Sequence, residues 1–278
     1  MSDIRISGET RLNFIIGDPI VQVKSPSGLT KAYADKGLNT AVLPLQISVD
    51  KLSPFLDSIT AVGNLDGIVV TLPHKFACLA HCTTISDRAR HLQAVNVMRR
   101  NPDGSWHGDM LDGVGFVEAG RRKGFEPAGR RVLVVGAGGA GSAIALALLE
   151  AGAHAISVHD GEPGRREALI AKLRRISPNI EVGSNDATGF DAVVNATPAG
   201  MKGFVASAVD LKSLPSHSFV GCAVTDPAVT PLIAQARKLG CKTITGIEMY
   251  TALESRMLEF FLEGPSRHHD HKVAAAPM

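Results

Sequence analysis

Residues 131–142 read RVLVVGAGGAGS and are the most informative segment of the chain about its fold. Four apolar residues, 132–135, run directly into Gly136, Gly138 and Gly141, which have Gly-x-Gly-x-x-Gly spacing. In such a turn the first glycine permits a tight bend, the second lets a pyrophosphate approach the backbone, and the third lets helix and strand pack closely. The start of the following helix offers free N–H groups to phosphates. The stretch therefore predicts a Rossmann unit that binds a dinucleotide.

The residues after the glycine turn indicate which dinucleotide is used. A helix is predicted over residues 140–151, and Asp160 ends the next predicted strand. A carboxylate there accepts hydrogen bonds from the ribose 2′-OH of NAD and repels the 2′-phosphate of NADP. Arg165 and Arg166 could hold a phosphate instead, although a solvated helix start explains them as well. We therefore predict NAD as the preferred cofactor, with NADP possible.

Alternating strands and helices extend in both directions from this turn, so the predicted fold class is α/β with mainly parallel sheets. The second half has predicted strands at 132–135, 155–159, 192–195, 219–222 and 243–244, with helices at 140–151, 164–175 and 231–239. The first half has predicted strands at 12–16, 40–47, 65–72 and 94–99, with helices at 27–36 and 49–60. A helix at 114–122 links the halves, and a last helix is expected at 248–262.

The composition of the chain limits the classes of partner that the protein is expected to bind. The chain has 278 residues, 45% of them hydrophobic and 20% charged, and a net charge of only +2, so neither nucleic acid nor an anionic membrane is an expected partner. Residues 132–149 carry no charge, but their central glycines favour a strand, turn and helix over a membrane span. The four cysteines form no disulfide framework, and this is typical of a reducing cytoplasm.

Two further segments carry residues of chemical interest. Lys75 follows a predicted buried strand in VVTLPHK, residues 69–75, and Asp112 lies in GDMLDG, residues 108–113, at the junction of the halves. Spacing alone leaves ordinary alternatives open, since the lysine can be solvated and the aspartate can cap the helix that follows.

The order of the motifs along nearly the whole chain is more specific than any one of them, and it resembles the shikimate dehydrogenases. The pieces that carry the resemblance are Gly17–Ile20, Lys24–Pro26, Val70–Lys75, Ala94–Asn96, Gly108–Gly113, the glycine turn, Asn195–Pro198, Thr230–Leu232 and Gly246–Met249.

The resemblance implies roles for individual residues. Lys75 and Asp112 would flank the reacting hydroxyl, with the lysine accepting or relaying its proton, the aspartate orienting both partners and the nicotinamide taking the hydride. The implied substrate pocket comprises Ser25, Thr71, Asn96, Val23 and Leu253. The implied cofactor site comprises Gly136, Ala137, Gly138, Gly139, Ala140, Asp160, Arg165, Asn195, Thr197, Pro198, Ala223 and Gly246.

The same resemblance implies the domain organisation. Residues 1–110 are expected to form an α/β substrate-binding domain that a C-terminal helix, 247–264, completes. Residues 113–246 are expected to form the Rossmann domain, and 265–278 a tail. The protein is then expected to be a cytoplasmic enzyme, monomeric or homodimeric, that interconverts a shikimate- or quinate-like cyclic hydroxy acid and its 3-keto form.

Several pocket positions depart from the family pattern. Val23 replaces a serine, Met110-Leu111 replaces Asn-Thr, Thr225 replaces a tyrosine and Leu253 replaces a glutamine. Each hydrogen bond lost to a buried hydroxyl costs about 1–3 kcal/mol, so shikimate itself would bind weakly. A less hydroxylated alcohol and a dinucleotide-binding regulator with weak catalysis are therefore alternatives, as is compensation by water.

No metal is expected. The group His74, Cys78, His81 and Cys82 does not have a common zinc spacing, and three histidines of the tail, His268, His269 and His271, are expected to be solvated.

Overall fold

The structure, a computed structural model, describes residues 6–212 and 214–264. The first of its two six-stranded sheets has the order β2-β1-β3-β5-β6-β4. Its strands are β1 Arg11–Gly17, β2 Thr40–Gln46, β3 Leu65–Val70, β4 Thr84–Ile85, β5 Val97–Arg100 and β6 Trp106–Asp109. The helices of this half are α1 Ser25–Asp35, α2 Leu52–Ser58, α3 Asp87–Leu92 and α4 Asp112–Arg122.

The second sheet has the order β12-β11-β10-β7-β8-β9, and every neighbouring pair in it is parallel. Its strands are β7 Arg131–Val135, β8 Ala155–His159, β9 Ile180–Val182, β10 Ala192–Asn195, β11 Phe219–Cys222 and β12 Lys242–Ile244. The helices of this half are α5 Gly139–Glu150, α6 Pro163–Leu173, α7 Pro231–Lys238 and α8 Gly246–Leu262. This doubly wound sheet is the predicted Rossmann fold.

Strand β7 shows why its sequence forms the centre of that sheet. Val132 and Val134 point into one buried apolar cluster, while Leu133 and Val135 point into another on the opposite face. A strand covered on both faces needs apolar residues at every position, and an uninterrupted VLVV supplies them.

The glycine turn that follows has the conformation its sequence predicts. Gly136 has a φ of +110°, which side chains rarely adopt. A Cβ at position 141 would overlap the carbonyl oxygen of Gly136, so the third glycine lets α5 approach the strand end. The end of β7 therefore meets the N-terminus of α5 at the carboxyl edge of the sheet.

The first sheet is mainly parallel, as predicted, but β5 runs antiparallel to β3 and β6. The sequence patterns predict none of the short elements β4, α3, β6 and β9. Strands of two to four residues that include exposed or polar positions carry too little periodicity to be recognised. The helix predicted at 49–60 is instead two short 3₁₀ turns flanking α2, at Val49–Lys51 and Ile59–Ala61.

The last helix, α8, returns to the first half of the chain. The Phe261 ring lies over Gly67 of β3, and the Phe260 ring stacks on His107 of β6 with a centroid separation of 5.9 Å. Helix α8 begins with a capping box, in which the Glu248 N–H donates to the Thr245 hydroxyl (3.2 Å) and Glu248 Oε2 accepts from the Thr245 N–H (2.9 Å). Over the described residues, none of the helices combines the length and the apolar character that crossing a membrane requires.

Candidate active site

Lys75 lies in the loop that leaves β3, at the carboxyl edge of the first sheet. Its backbone is fixed because the Val95 N–H donates to the Lys75 carbonyl oxygen over 2.9 Å. Its ammonium group donates to Oδ2 of Asp112, the first residue of α4. The two side chains are only 13% and 7% exposed, so the ion pair is largely shielded from water. The structure thus brings together the two predicted catalytic residues.

Asn96 fixes the orientation of Asp112. Its amide nitrogen donates to Asp112 Oδ1 over 2.7 Å, and its amide oxygen accepts from the Leu111 N–H, also over 2.7 Å. Both contacts are buried, and Asn96 is 2% exposed. Each carboxylate oxygen of Asp112 therefore has its own donor, and this leaves the carboxylate little freedom to rotate.

Asp109 is a supporting residue that sequence reasoning missed. Its buried carboxylate accepts from the Met110 N–H at 2.7 Å and from the Arg88 guanidinium at 2.6 Å. These bonds hold the segment that leads from β6 to Asp112. A second acid three residues before a candidate catalytic acid is the signal that could have identified it.

The glycine turn of the second sheet faces Lys75. A Cβ built at position 139 would lie 2.9 Å from Lys75 Cδ, so the lysine stem lies directly against the first residue of α5. Position 138 faces open space, and a helix N-terminus leaves its first N–H groups without intrahelical partners. The turn, which includes Ala140, fits a bound pyrophosphate.

Asp160 lies at the end of β8, beside the same turn. One carboxylate oxygen accepts from the Ala137 N–H at 2.7 Å and the other from the Glu162 N–H at 2.8 Å. Exposed Arg165 is ion-paired with Glu162 through a 2.7 Å hydrogen bond from Nε. The rim where a ribose would lie therefore carries the Asp160 carboxylate, and the two arginines that could hold a phosphate are ion-paired, Arg165 with Glu162 and Arg166 with Glu167.

Asn195 shapes the loop after β10. Its amide nitrogen donates to the Ala199 carbonyl oxygen over 3.0 Å, and its amide oxygen accepts from the Thr197 hydroxyl over 2.6 Å. It is fully buried, so Thr197 and Pro198 are the predicted cofactor residues of this loop with exposed surface. Ala223 is half-buried after β11, and a Cβ at buried Gly246 would overlap the Ala223–Val224 backbone.

The predicted substrate pocket has an apolar wall. Leu111 and Leu253 belong to one buried apolar cluster, and half-buried Val23 packs against it. The three positions at which apolar residues replace the family's polar ones therefore belong to, or pack against, one buried apolar cluster, and these three side chains are called the apolar wall. Ser25, at the start of α1, is 4% exposed, and Thr71, after β3, is half-buried.

A polar pair on α8 also belongs to this region, and sequence reasoning missed it. The Tyr250 hydroxyl donates to Glu254 Oε2 over 2.6 Å. Burial and the Glu254 carboxylate raise the pKa of Tyr250, and a hydrogen bond with Ser25 partly offsets that rise. A tyrosine and a glutamate four residues apart, on the helix that carries Leu253, form the signal that could have found the pair.

The residues considered as metal ligands are the group His74, Cys78, His81 and Cys82 and three histidines of the tail. Burial raises the pKa of the Cys78 and Cys82 thiols to about 12, so they stay protonated, and His74 Nε2 lies 2.7 Å from the Ile47 carbonyl oxygen. Within residues 6–212 and 214–264 no group of three or more His, Cys, Asp or Glu side chains is arranged to hold a metal. His268, His269 and His271 lie outside the described residues.

The glycine turn of a Rossmann sheet, facing a shielded lysine–aspartate pair on a second α/β sheet, defines an NAD(P)-dependent oxidoreductase that acts on a CH–OH group. Residues 15–98 match the family model described as the shikimate dehydrogenase substrate binding domain. The shikimate dehydrogenase (NADP(+)) of Rhodospirillum rubrum is 36% identical over 256 residues, 88% of this chain and 89% of that protein. The chain belongs to the shikimate dehydrogenase family.

Two solved structures show the same architecture. Quinate dehydrogenase from Corynebacterium glutamicum, in complex with NAD, has a TM-score of 0.83 and 27% identity and covers 91% of this chain and 94% of its own. The ligand-free 5-ketofructose reductase of a Gluconobacter strain has a TM-score of 0.82 and 26% identity and covers 92% of this chain and 94% of its own. The predicted fold class, an N-terminal substrate-binding domain followed by a Rossmann domain, is confirmed.

Proposed function

We propose that this protein catalyses the reversible NAD(P)-dependent oxidation of a secondary hydroxyl on a shikimate- or quinate-like ring to the corresponding 3-ketone. The observation that carries the proposal is the Lys75–Asp112 pair, which Asn96 holds in place and which lies against Gly139 of the glycine turn. A hydroxyl held by this pair would lie beside the dinucleotide-binding turn, and hydride transfer requires such proximity of substrate and cofactor.

The chemistry assigned to the chain is proton transfer and orientation. In oxidation, Lys75 acts as the neutral amine: its Nζ takes the hydroxyl proton as the C–H hydride leaves, and the ammonium so formed pairs with Asp112. In reduction, the ammonium of the Lys75–Asp112 pair gives that proton to the carbonyl oxygen and becomes the neutral amine again. Asp112 holds the lysine and the substrate hydroxyl in line, and Asn96 holds Asp112. A bound nicotinamide supplies the hydride acceptor or donor. Within this proposal Lys75 and Asp112 are the catalytic residues.

The proposed cofactor preference is for NAD, with NADP also accepted. The curated relative from Rhodospirillum rubrum is named for NADP(+), and the Corynebacterium glutamicum quinate dehydrogenase was solved with NAD. The carboxylates of Asp160 and Glu162 support NAD, because they would repel a 2′-phosphate and because Arg165 is already paired. Asp160→Ala should lower the NAD:NADP ratio of kcat/KM; an unchanged ratio would assign the ribose contact to another group.

The proposed domains are 1–110 with helix 247–264 for substrate, and 113–246 for the dinucleotide. Packing of Phe261 and Phe260 on the first sheet supports assigning α8 to the substrate domain. A Cβ at Gly113 would overlap the Ala143 carbonyl oxygen of α5, so α4 and α5 cross closely where the halves join.

A second candidate substrate, a different and less hydroxylated alcohol, is favoured by the apolar wall of Val23, Leu111 and Leu253. Such a wall offers no hydrogen bond to a ring hydroxyl, and each buried hydroxyl left unpaired costs about 1–3 kcal/mol. One solved relative is named for reduction of 5-ketofructose. A regulator without catalysis is disfavoured, because Lys75 and Asp112 are both present and paired.

Lys75→Ala is the experiment that tests the proposed reaction. It should reduce kcat by at least about 100-fold while the affinity for NADH, measured by fluorescence titration, stays unchanged. Lys31→Ala is the matched control, because that lysine is 72% exposed on α1 and pairs only with Asp35 among the described residues. Near-normal turnover by Lys75→Ala would overturn the assigned role.

A further inference from the structure

The part of the pocket around Ser25 carries a negative charge of its own. Glu254 is half-buried on α8, and its Oε2 accepts the hydrogen bond from the Tyr250 hydroxyl. Over residues 6–212 and 214–264, no lysine, arginine or histidine nitrogen lies within ion-pairing distance of the Glu254 carboxylate. Its charge is therefore not balanced by a neighbouring cation, and in a half-buried position water screens it only in part.

Close packing places this carboxylate against the first turns of α1. A Cβ at Gly28, the fourth residue of α1, would overlap both the Tyr250 hydroxyl and the Glu254 carboxylate. The missing side chain at position 28 is thus what admits the pair. Glu254 lies where the positive end of the α1 dipole would otherwise favour an anionic ligand.

The serine assigned to substrate binding lies within one helical turn of the same pair. Ser25 is buried at the start of α1, three residues before Gly28, and the Tyr250 hydroxyl that packs at Gly28 donates to Glu254. A substrate carboxylate that reached Ser25 would therefore meet the Glu254 charge at the same end of α1. Two like charges a few ångströms apart in a partly buried site repel strongly. A neutral hydroxyl at the same place would instead find acceptors and a donor.

We propose that Tyr250 and Glu254 make this pocket select an uncharged hydroxylated ring over a ring that bears a free carboxylate. The inference rests on the proposed dehydrogenase function and specifies its substrate class. Glu254 and Tyr250 are then specificity-determining residues at the end of the cleft that α1 and α8 form, which we call the recognition end. Lys75 and Asp112 keep the same roles, because the reacting CH–OH is common to both kinds of ring.

Shikimate and methyl shikimate are the probes, since the ester keeps the ring and its hydroxyls and removes only the charge. The kcat/KM ratio of ester to acid should be about ten or more in the wild-type protein. Glu254→Gln keeps the acceptor for Tyr250 and removes the charge, so it should lower that ratio at least about tenfold, mainly by improving shikimate. Glu259→Gln is the control and should leave the ester-to-acid ratio unchanged, because Glu259 is an exposed glutamate on the same helix and is paired with Arg256.

A wild-type ratio below one, or a ratio that Glu254→Gln does not move, would overturn the inference. If Glu254→Gln does not fold, Tyr250→Phe provides the second variant: it removes the donor to Glu254 and keeps the charge, so it should raise the same ratio, and a lowered ratio would overturn the inference. If neither ring is oxidised, the proposed reaction fails. Calorimetric affinities of the two probes for the NADH complex then still decide the charge preference.

Discussion

The two ends of the proposed active-site cleft are built in opposite ways. At the catalytic end three polar side chains are paired in series: Lys75 with Asp112, Asp112 with Asn96, and Asn96 with the Leu111 N–H. At the recognition end, apolar side chains join in one wall, and a glutamate occupies the neighbourhood of Ser25. A fixed polar network favours one reaction geometry, whereas the recognition end has lost hydrogen bonds that a hydroxylated acid would need.

Apart from Leu111, which directly precedes Asp112, the residues for chemistry and those for specificity lie on separate structural elements. The loops after β3 and β6 position the proton-transfer pair, and α1 and α8 form the recognition end. Changes on α1 and α8 can therefore alter which ring is accepted without moving the atoms that react. Substitutions at each of the two ends test that separation.

The largest effect is expected at the catalytic end. Asp112→Asn should reduce kcat by at least about 100-fold, because the amide can no longer pair with the Lys75 ammonium. The double variant Asp112→Asn, Lys75→Ala should reduce kcat by far less than the product of the two single reductions, since the two residues act as one unit. Stopped-flow measurement of NADH formation by the wild type, the two single variants and the double variant gives the rates for this comparison. Fully multiplicative reductions in kcat would show that the two residues act independently.

Asn96→Ala should reduce kcat about tenfold and leave the KM for the dinucleotide unchanged. The variant frees Asp112 to rotate and leaves the buried Leu111 N–H without its acceptor, which costs about 1–3 kcal/mol of unfolding free energy. Steady-state kinetics and urea unfolding measure the two effects. Loss of stability with unchanged kcat would assign Asn96 to the fold alone.

The recognition end should respond in the opposite direction. Leu253→Gln should raise kcat/KM for shikimate about threefold to tenfold, mainly through KM, because it restores a donor and an acceptor in the apolar wall. Leu239→Gln, at a leucine 37% exposed at the end of α7, controls for a general effect of the substitution. A fall in kcat with no change in KM would mean that this wall affects the chemistry itself.

The smallest effect is expected from Gly28→Ala. The added methyl group overlaps the Tyr250 hydroxyl and the Glu254 carboxylate, so we expect about 1–3 kcal/mol of destabilisation in spite of alanine's better helix propensity. Gly164→Ala in α6 is the matched control, because open space surrounds position 164 and the same change should stabilise the protein slightly. Equal urea midpoints for both variants would contradict the close packing at Gly28.

How much could be read from the sequence depended on how local each signal is. The glycine turn and strand β7 follow from adjacent residues, and the structure has both where they were predicted. Strand β6 and the role of Asp109 are not predicted, because WHGD has no clear hydrophobic periodicity and the pairing of β6 with β4 and β5 is a long-range property. The contact of Tyr250 and Glu254 with Gly28 joins the two ends of the chain, so no local pattern contains it.

Oxidation of shikimate, followed to saturation, tests whether the protein retains the chemistry while its recognition of the ring has changed. NADH formation should give a kcat within about tenfold of that for the best uncharged ring, together with a much higher KM, because lost ground-state contacts raise KM and leave kcat intact. A low KM with rapid turnover would contradict the account by showing that the recognition end still fits the acid. A kcat near zero at saturating shikimate would contradict it by showing that the chemistry is not retained.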